Sequence, residues 1–273
     1  MTLNQTIDKL YTRIGAKDNT LASYQGTLEK FKAVFGIRDP FGVLPVEIKD
    51  WLKALPVSKG TLFLRYTHLK ALFNLALKEE RINGHKPQWD NPCDLLQDDF
   101  KKPKKNDKPL SDTIHEDMQN MFNKLNKRDN LIAQLGSRCG LRIGEILKIT
   151  PDDLIRNGDV CCIRLVDPKS GANQEMAWIP LDLCQELREY IDRGGIGTTN
   201  RVFPITSQAV WKIFRKFEVK PHDLRRYAAF RLMEKGKNLK VIQGFLRHKS
   251  PKTTEIYLGN LSINAIAKEM EGM

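Results

Sequence analysis

His222-Asp223-Leu224-Arg225, then Leu246-Arg247-His248, then Thr253-Thr254-Glu255-Ile256-Tyr257 follow one another in the last third of the chain, and Gly140-Leu141-Arg142-Ile143-Gly144-Glu145 lies upstream. Each piece alone has an ordinary reading. Arg142 and Glu145 stand three residues apart, the spacing of a surface ion pair worth about 0.2–0.5 kcal/mol. His248 near a helix C-terminus could simply answer the helix dipole. Tyr257 could be a half-buried packing residue. The order and spacing of the pieces carry more than any one of them. Arg225 precedes His248 by 23 residues, and His248 precedes Tyr257 by nine.

Together these residue types suit one chemical task. A phosphodiester is anionic, and its pentavalent transition state places more charge on the equatorial oxygens. Catalysis on it depends on positioning and charge stabilisation. Guanidinium is planar, always charged and grips phosphate oxygens bidentately. Arg142 and Arg225 could embrace both non-bridging oxygens, with His222 and His248 adding hydrogen bonds. A phenol with an ordinary pKa of about 10 is a weak nucleophile until cations and a proton acceptor surround it. The leaving alkoxide needs a proton, and Lys169 could supply it from the turn of a hairpin.

Composition points the same way. The chain has 273 residues and a formal net charge of +12. That charge favours a polyanionic partner, most simply nucleic acid. The excess is shared, about +6 on residues 1–108 and +6 on residues 109–273. No stretch approaches the roughly 18 apolar residues of a membrane span, and Met1 to Leu10 lacks the apolar run of a signal peptide. The five cysteines (Cys93, Cys139, Cys161, Cys162 and Cys184) form no C-x-x-C pair and no zinc-type spacing. They read as buried or incidental thiols of a reduced, cytoplasmic protein.

The first hundred residues read as a small helical bundle. Helices are expected over about 3–14, 20–35, 45–55 and 62–77. The last of these places Leu62, Tyr66, Leu69, Leu72, Phe73 and Leu77 on one face and Arg65, His68 and Lys70 on others. Residues 83–99 carry a loop signature. Lys101-Lys102-Pro103-Lys104-Lys105-Asn106-Asp107-Lys108-Pro109 is read as a basic linker over 101–109 that could lie against a phosphate backbone. It separates an N-terminal domain (1–100) from a C-terminal one (110–273).

Helices are then expected from Ser111 or Asp112, from Asn130 to Cys139 and from Leu141 to Ile149. Residues 160–166 and about 175–180 have strand character around a turn at 167–171, which predicts a β-hairpin with Lys169 near its tip. Everything after Leu181 reads as helical. The fold class is therefore mainly α with one small β-hairpin or sheet: an N-terminal helical bundle joined to a mixed, mostly helical C-terminal domain.

Over residues 109–260 the chain resembles the tyrosine recombinases, the phage-integrase and Xer-like enzymes. The resemblance rests on the G-L-R-x-x-E, H-x-L-R, L-x-H and T-T-x-x-Y pieces quoted above, and on Lys169. It implies that Arg142 and Arg225 clamp the scissile phosphate and that Tyr257 attacks it, leaving a 3′-phosphotyrosyl link and a free 5′-hydroxyl. It implies Lys169 as the acid for the leaving oxygen, His222 as an assistant in proton transfer, and His248 as a hydrogen-bond donor. Glu145 would support His222 or the fold. No metal or nucleotide cofactor is implied.

The partner implied is double-stranded DNA, held by a homotetramer, with accessory DNA-binding proteins left open and no membrane. Contacts to the DNA backbone are expected from Arg65, Lys101, Lys102, Lys104, Lys105, Arg226 and Arg247. Arg247 stands where many relatives have glycine, and Arg226 where many have histidine or serine. Tyr227, Tyr190 and Arg138 are the competing candidates and read as structural, as do His68, His85 and His115. The apolar face of residues 261–270 would fold back on its own domain or, as the resemblance implies, dock on a neighbouring subunit. Two alternatives share or lack the chemistry: a type IB topoisomerase-like enzyme, and a DNA-binding protein with a decayed site. A kinase or nucleotide hydrolase finds no Gly-rich phosphate loop here.

Overall fold

The computed structural model describes residues 1–15, 18–84, 90–103, 114–166 and 174–248, without the side chains of Asp18, Asn19, Ile114 and Gln174. Lys104, Lys105, His85, Lys169, Tyr257, the expected cap at Ser111 or Asp112, and the helices expected over 251–257 and 262–270 lie outside the described residues. The chain divides into two compact units between Asn106 and Asp107.

The first unit holds α1 (Leu3–Ile14), α2 (Asp18–Phe35), α3 (Pro45–Lys53) and α4 (Lys59–Ile82). Start signals place the helices. The Thr2 hydroxyl accepts the Gln5 amide while the Gln5 side chain accepts the Thr2 amide, and Ser58 caps α4 by accepting from Thr61. The apolar faces of α1–α4 meet in one core that includes Leu3, Ile7, Leu28, Phe31, Ile48, Leu52, Leu69 and Phe73. His68 is buried there as a structural residue, with Nδ1 2.8 Å from the Thr27 hydroxyl and its ring stacked on Tyr24.

The stretch expected to be loop contributes more than a connection. Cys93, Leu96 and Phe100 are buried in the core, Asp94–Leu96 forms a short 3-10 turn, and the Tyr66 hydroxyl donates to the Cys93 carbonyl. Sequence periodicity missed this because three buried residues in a stretch with only a three-residue 3-10 turn leave too short a pattern to read.

The second unit begins with α5 (Ile114–Lys124) and α6 (Lys127–Cys139), followed by the short α7 (Ile143–Ile146). A three-stranded antiparallel sheet follows in the order β1 (Leu154–Asn157), β2 (Val160–Val166) and β3 (Gln174–Ile179). β2 and β3 are the expected hairpin, in register from Cys161 opposite Ile179 to Val166 opposite Gln174. Cys161, Ile163 and Leu165 of β2 and Ala177 and Ile179 of β3 face the core, whereas Met176 and Trp178 face outward, the two-residue period of a half-buried sheet.

β1 was not expected. Only four residues long and exposed along most of its length, it shows no hydrophobic alternation. It pairs with β2 across a tight turn in which Gly158 takes φ +58°, a conformation suited to glycine. Helices α8 (Leu181–Arg193), α9 (Ser207–Arg215), α10 (Pro221–Glu234) and α11 (Leu239–Leu246) complete the described unit.

α10 packs along α6 at very short range. A Cβ placed on Gly136 would lie 2.9 Å from Cβ of Leu224. That crossing fixes α10, which carries His222 and Arg225, against the helix that leads into Arg142. Gly136→Val should lower the stability of this unit by roughly 1–3 kcal/mol through overpacking. Denaturant unfolding followed by circular dichroism checks it.

Candidate active site

Three chain reversals build the site. α6 ends at Gly140, which takes φ +63° and lies so close to α11 that a Cβ would come within 2.9 Å of both Leu246 and Phe245. Glycine is therefore required at this position on two counts. The chain emerges at Arg142, which is extended (φ −77°, ψ 146°) and caps α7. The helix expected over 141–149 is thus only four residues long, and Arg142 stands before it instead of inside it. The reason is local. The Glu145 carboxylate accepts the Arg142 amide at 2.8 Å through Oε2 and the Arg142 guanidinium at 2.6 Å through Oε1.

α10 starts with Pro221 at its first position, and Asp223 accepts the Lys220 amide at 3.0 Å. His222 is exposed in this first turn, and Arg225 lies one turn further on. Arg225 is 1% exposed, and it donates to the carbonyls of Gly140 and Leu246. These are the terminal carbonyls of α6 and α11, where the helix dipoles carry partial negative charge. A buried guanidinium requires such partners, because leaving its charge unsatisfied would cost several kcal/mol, on the order of 3–5.

α11 ends at Leu246, and Arg247 takes the left-handed conformation with φ 54°. This reversal turns His248 inward, with its amide on the Gln243 carbonyl at 3.1 Å. His248 is 8% exposed. Burial, then Arg225, Arg142, Arg247 and His222 in that order, hold its pKa down to about 4. The imidazole is neutral near pH 7. An arriving anion would relieve the repulsion and raise its proton affinity.

Glu145 is the carboxylate that two of these arginines share. Burial alone would raise its pKa, but the Arg142 amide and guanidinium and nearby Arg247 outweigh it and hold the group below the usual range. Glu145 therefore serves Arg142 and Arg247. Arg247, expected to reach a DNA phosphate, turns inward. Its side chain is 9% exposed, with Nη2 3.0 Å from Glu145 and Nε 3.5 Å from Glu175.

Arg226 is a fifth exposed and stands 3.8 Å from Asp223. Lys101 and Lys102 are exposed and Arg65 is half-buried, all three in the first unit. The competing candidates are elsewhere. Arg138 donates from Nη2 to both carboxylate oxygens of Asp182, at 2.8 and 2.7 Å. Tyr190 stacks on Phe203. Tyr227 is buried and hydrogen-bonded to His115, a pairing across 112 residues that sequence reasoning had no means to find.

Arg225, Arg142, Arg247 and His222 thus all bear on one neutral histidine, and the Glu145 and Glu175 carboxylates offset part of that charge. Such a field suits a group that carries negative charge. Residues 110–262 match the phage integrase family. The chain is 26% identical over 267 residues to a tyrosine recombinase of Pseudothermotoga lettingae, covering 88% of this chain and 87% of that one. Its fold matches the Tn1549 transposon integrase solved with transposon right end DNA, at a TM-score of 0.71 and 20% identity over 100% of this chain and 99% of that one. It also matches a lambda integrase tetramer bound to a Holliday junction, at a TM-score of 0.70 and 19% identity over 92% and 78% of the two chains.

The chain belongs to the phage integrase family of tyrosine recombinases. It is a site-specific recombinase that cleaves and rejoins DNA through a phosphotyrosyl intermediate.

Unfolded histidine takes up its proton near pH 6.5, whereas folded His248 does so only near 4. Between these values the unfolded chain binds more protons, so stability falls as pH falls. From pH 6.5 to 5, above the carboxylate range, the loss should approach about 1.4 kcal/mol per pH unit. His248→Asn should flatten that slope in pH-dependent urea unfolding.

Proposed function

We propose that Arg142 and Arg225 hold the non-bridging oxygens of the scissile phosphate and that Tyr257 attacks the phosphorus. The Tyr257 oxygen forms a bond to phosphorus as the bond to the 5′ oxygen breaks. The product is a 3′-phosphotyrosyl strand and a 5′-hydroxyl. Lys169 gives its proton to the departing oxygen, and the reverse reaction with a new 5′-hydroxyl rejoins the strands. His248, neutral before DNA arrives, donates a hydrogen bond to the phosphate. His222, exposed at the start of α10, assists proton transfer by accepting the proton that the Tyr257 hydroxyl gives up as it attacks.

The observation that carries this reading is the buried Arg225 guanidinium held on the carbonyls of Gly140 and Leu246, which stand two residues before Arg142 and His248 respectively in the chain. The arrangement stabilises negative charge that develops on a bound group, and it needs no reorganisation at the moment of reaction.

The division of labour between the units follows from charge. Residues 1–100 form the DNA-binding helical unit, and residues 101–109 lie against the backbone as a basic strap, with Arg65, Lys101, Lys102, Lys104 and Lys105 as phosphate contacts and Arg226 as another in the second unit. Residues 110–273 carry the chemistry. Assembly on DNA is multimeric, and a tetramer exchanging two duplexes through a Holliday junction is the state that the lambda integrase neighbour supports. Integration, excision and resolution all use this chemistry.

Nicked suicide substrates from a library of candidate sites test the assignment. The wild-type chain should accumulate a covalent 3′ adduct, visible as a shifted band on denaturing gels. Tyr257→Phe should abolish it and Tyr227→Phe should not. An adduct that survives Tyr257→Phe would overturn the choice of nucleophile.

A further inference from the structure

Arg247 adopts φ 54° at the C-terminus of α11. Glycine suits this left-handed conformation at a helix end, whereas a residue with a Cβ is strained there. The side chain makes contacts that glycine could not. Its Nη1 donates to the Phe245 carbonyl at 3.1 Å, its Nη2 donates to Glu145 Oε2 at 3.0 Å, and its Nε faces Glu175 Oε2 at 3.5 Å.

Glu145 binds Arg142 with its other oxygen. Glu175 is the second residue of β3, the strand that follows Lys169 in sequence. The guanidinium therefore links the end of α11, the carboxylate behind Arg142 and the first residues of β3.

One half of this link is incomplete. Arg247 Nε and Glu175 Oε2 are both buried, and neither has a hydrogen bond. They face each other about half an ångström beyond hydrogen-bonding distance. A small approach of β3 toward α11 would join them.

We propose that Arg247 is a positioning residue that ties β3 to Arg142 through the shared Glu145 carboxylate, so that the strand following Lys169 and the phosphate-binding arginine are held in one register. This rests on the reading of Lys169 as the proton donor. Without Arg247, Arg142 keeps Glu145, but the start of β3 loses its buried cation and with it an anchor that stands only a few residues after Lys169 in the chain. The defect should then fall on protonation of the leaving oxygen.

A scissile phosphate whose 5′-bridging oxygen is replaced by sulfur separates the outcomes, because a thiolate leaves without being protonated. Arg247→Gly, which also relieves the backbone strain, should cleave the oxygen substrate at least about tenfold more slowly, a part of the 10²–10⁴-fold that a positioned acid supplies. Its DNA affinity should be unchanged, and it should cleave the sulfur substrate within about threefold of wild type. Glu175→Gln, which leaves the Arg247–Glu145 pair intact, should show the same rescue with a smaller defect and guards against misfolding of the first variant.

Normal cleavage of the oxygen substrate by Arg247→Gly, or equal slowing on both substrates, would overturn the proposal. Lys169→Ala is the control. If sulfur rescues it, Lys169 is the donor and the behaviour of Arg247→Gly decides the role of Arg247 by itself. If sulfur does not, the reading of Lys169 fails first.

Discussion

The buried guanidinium of Arg225 is the constraint on which the rest of the second unit depends. A permanent charge at 1% exposure survives only with acceptors on its own scale. The fold supplies two helix C-termini, those of α6 at Gly140 and α11 at Leu246. Each end carries unsatisfied carbonyls that need a donor, so the two requirements answer each other. The same contacts bring Arg142, two residues beyond Gly140, and His248, two beyond Leu246, to the same place.

This design explains the electrostatics. The carbonyls that hold Arg225 stabilise its positive charge without cancelling it. Glu145 and Glu175 offset part of the charge of Arg142 and Arg247, and His248 responds by staying neutral, with its pKa held to about 4. On the proposed reading, a bound phosphodiester would bring negative charge to the partly open guanidinium of Arg142 and to neutral His248. Binding and transition-state stabilisation then draw on the same preorganised field.

Much of the helical architecture was legible because an amphipathic helix writes its buried face at regular spacing. Leu69, Leu72 and Phe73 of α4 marked the first core in this way, and Cys161, Ile163 and Leu165 marked β2 by alternation. What escaped was short or long-range. β1 has four residues and no buried alternation, although Asn157-Gly158 was a turn signal in plain view. α7 proved shorter than its apolar run suggested, because the Glu145 carboxylate pins the Arg142 amide in a cap. Arg247 looked like one more surface cation until its carboxylate partners, 102 residues and more than seventy residues away in sequence, were placed beside it.

The sequence by itself carried the candidate residue types and their order, since the chemistry of a phosphodiester calls for arginines, histidines and a nucleophile whatever the packing. It also suggested a division into two parts, through the basic stretch at 101–109. Only the tertiary structure decided which cations face the anion and which face inward. That choice depends on burial: Arg142 keeps a partly open guanidinium, Arg225 is roofed over by two helix ends, and Arg247 is enclosed between Glu145 and Glu175. Three arginines identical in formula become three different devices because the dielectric and the partners around each are set by chain segments far apart in sequence.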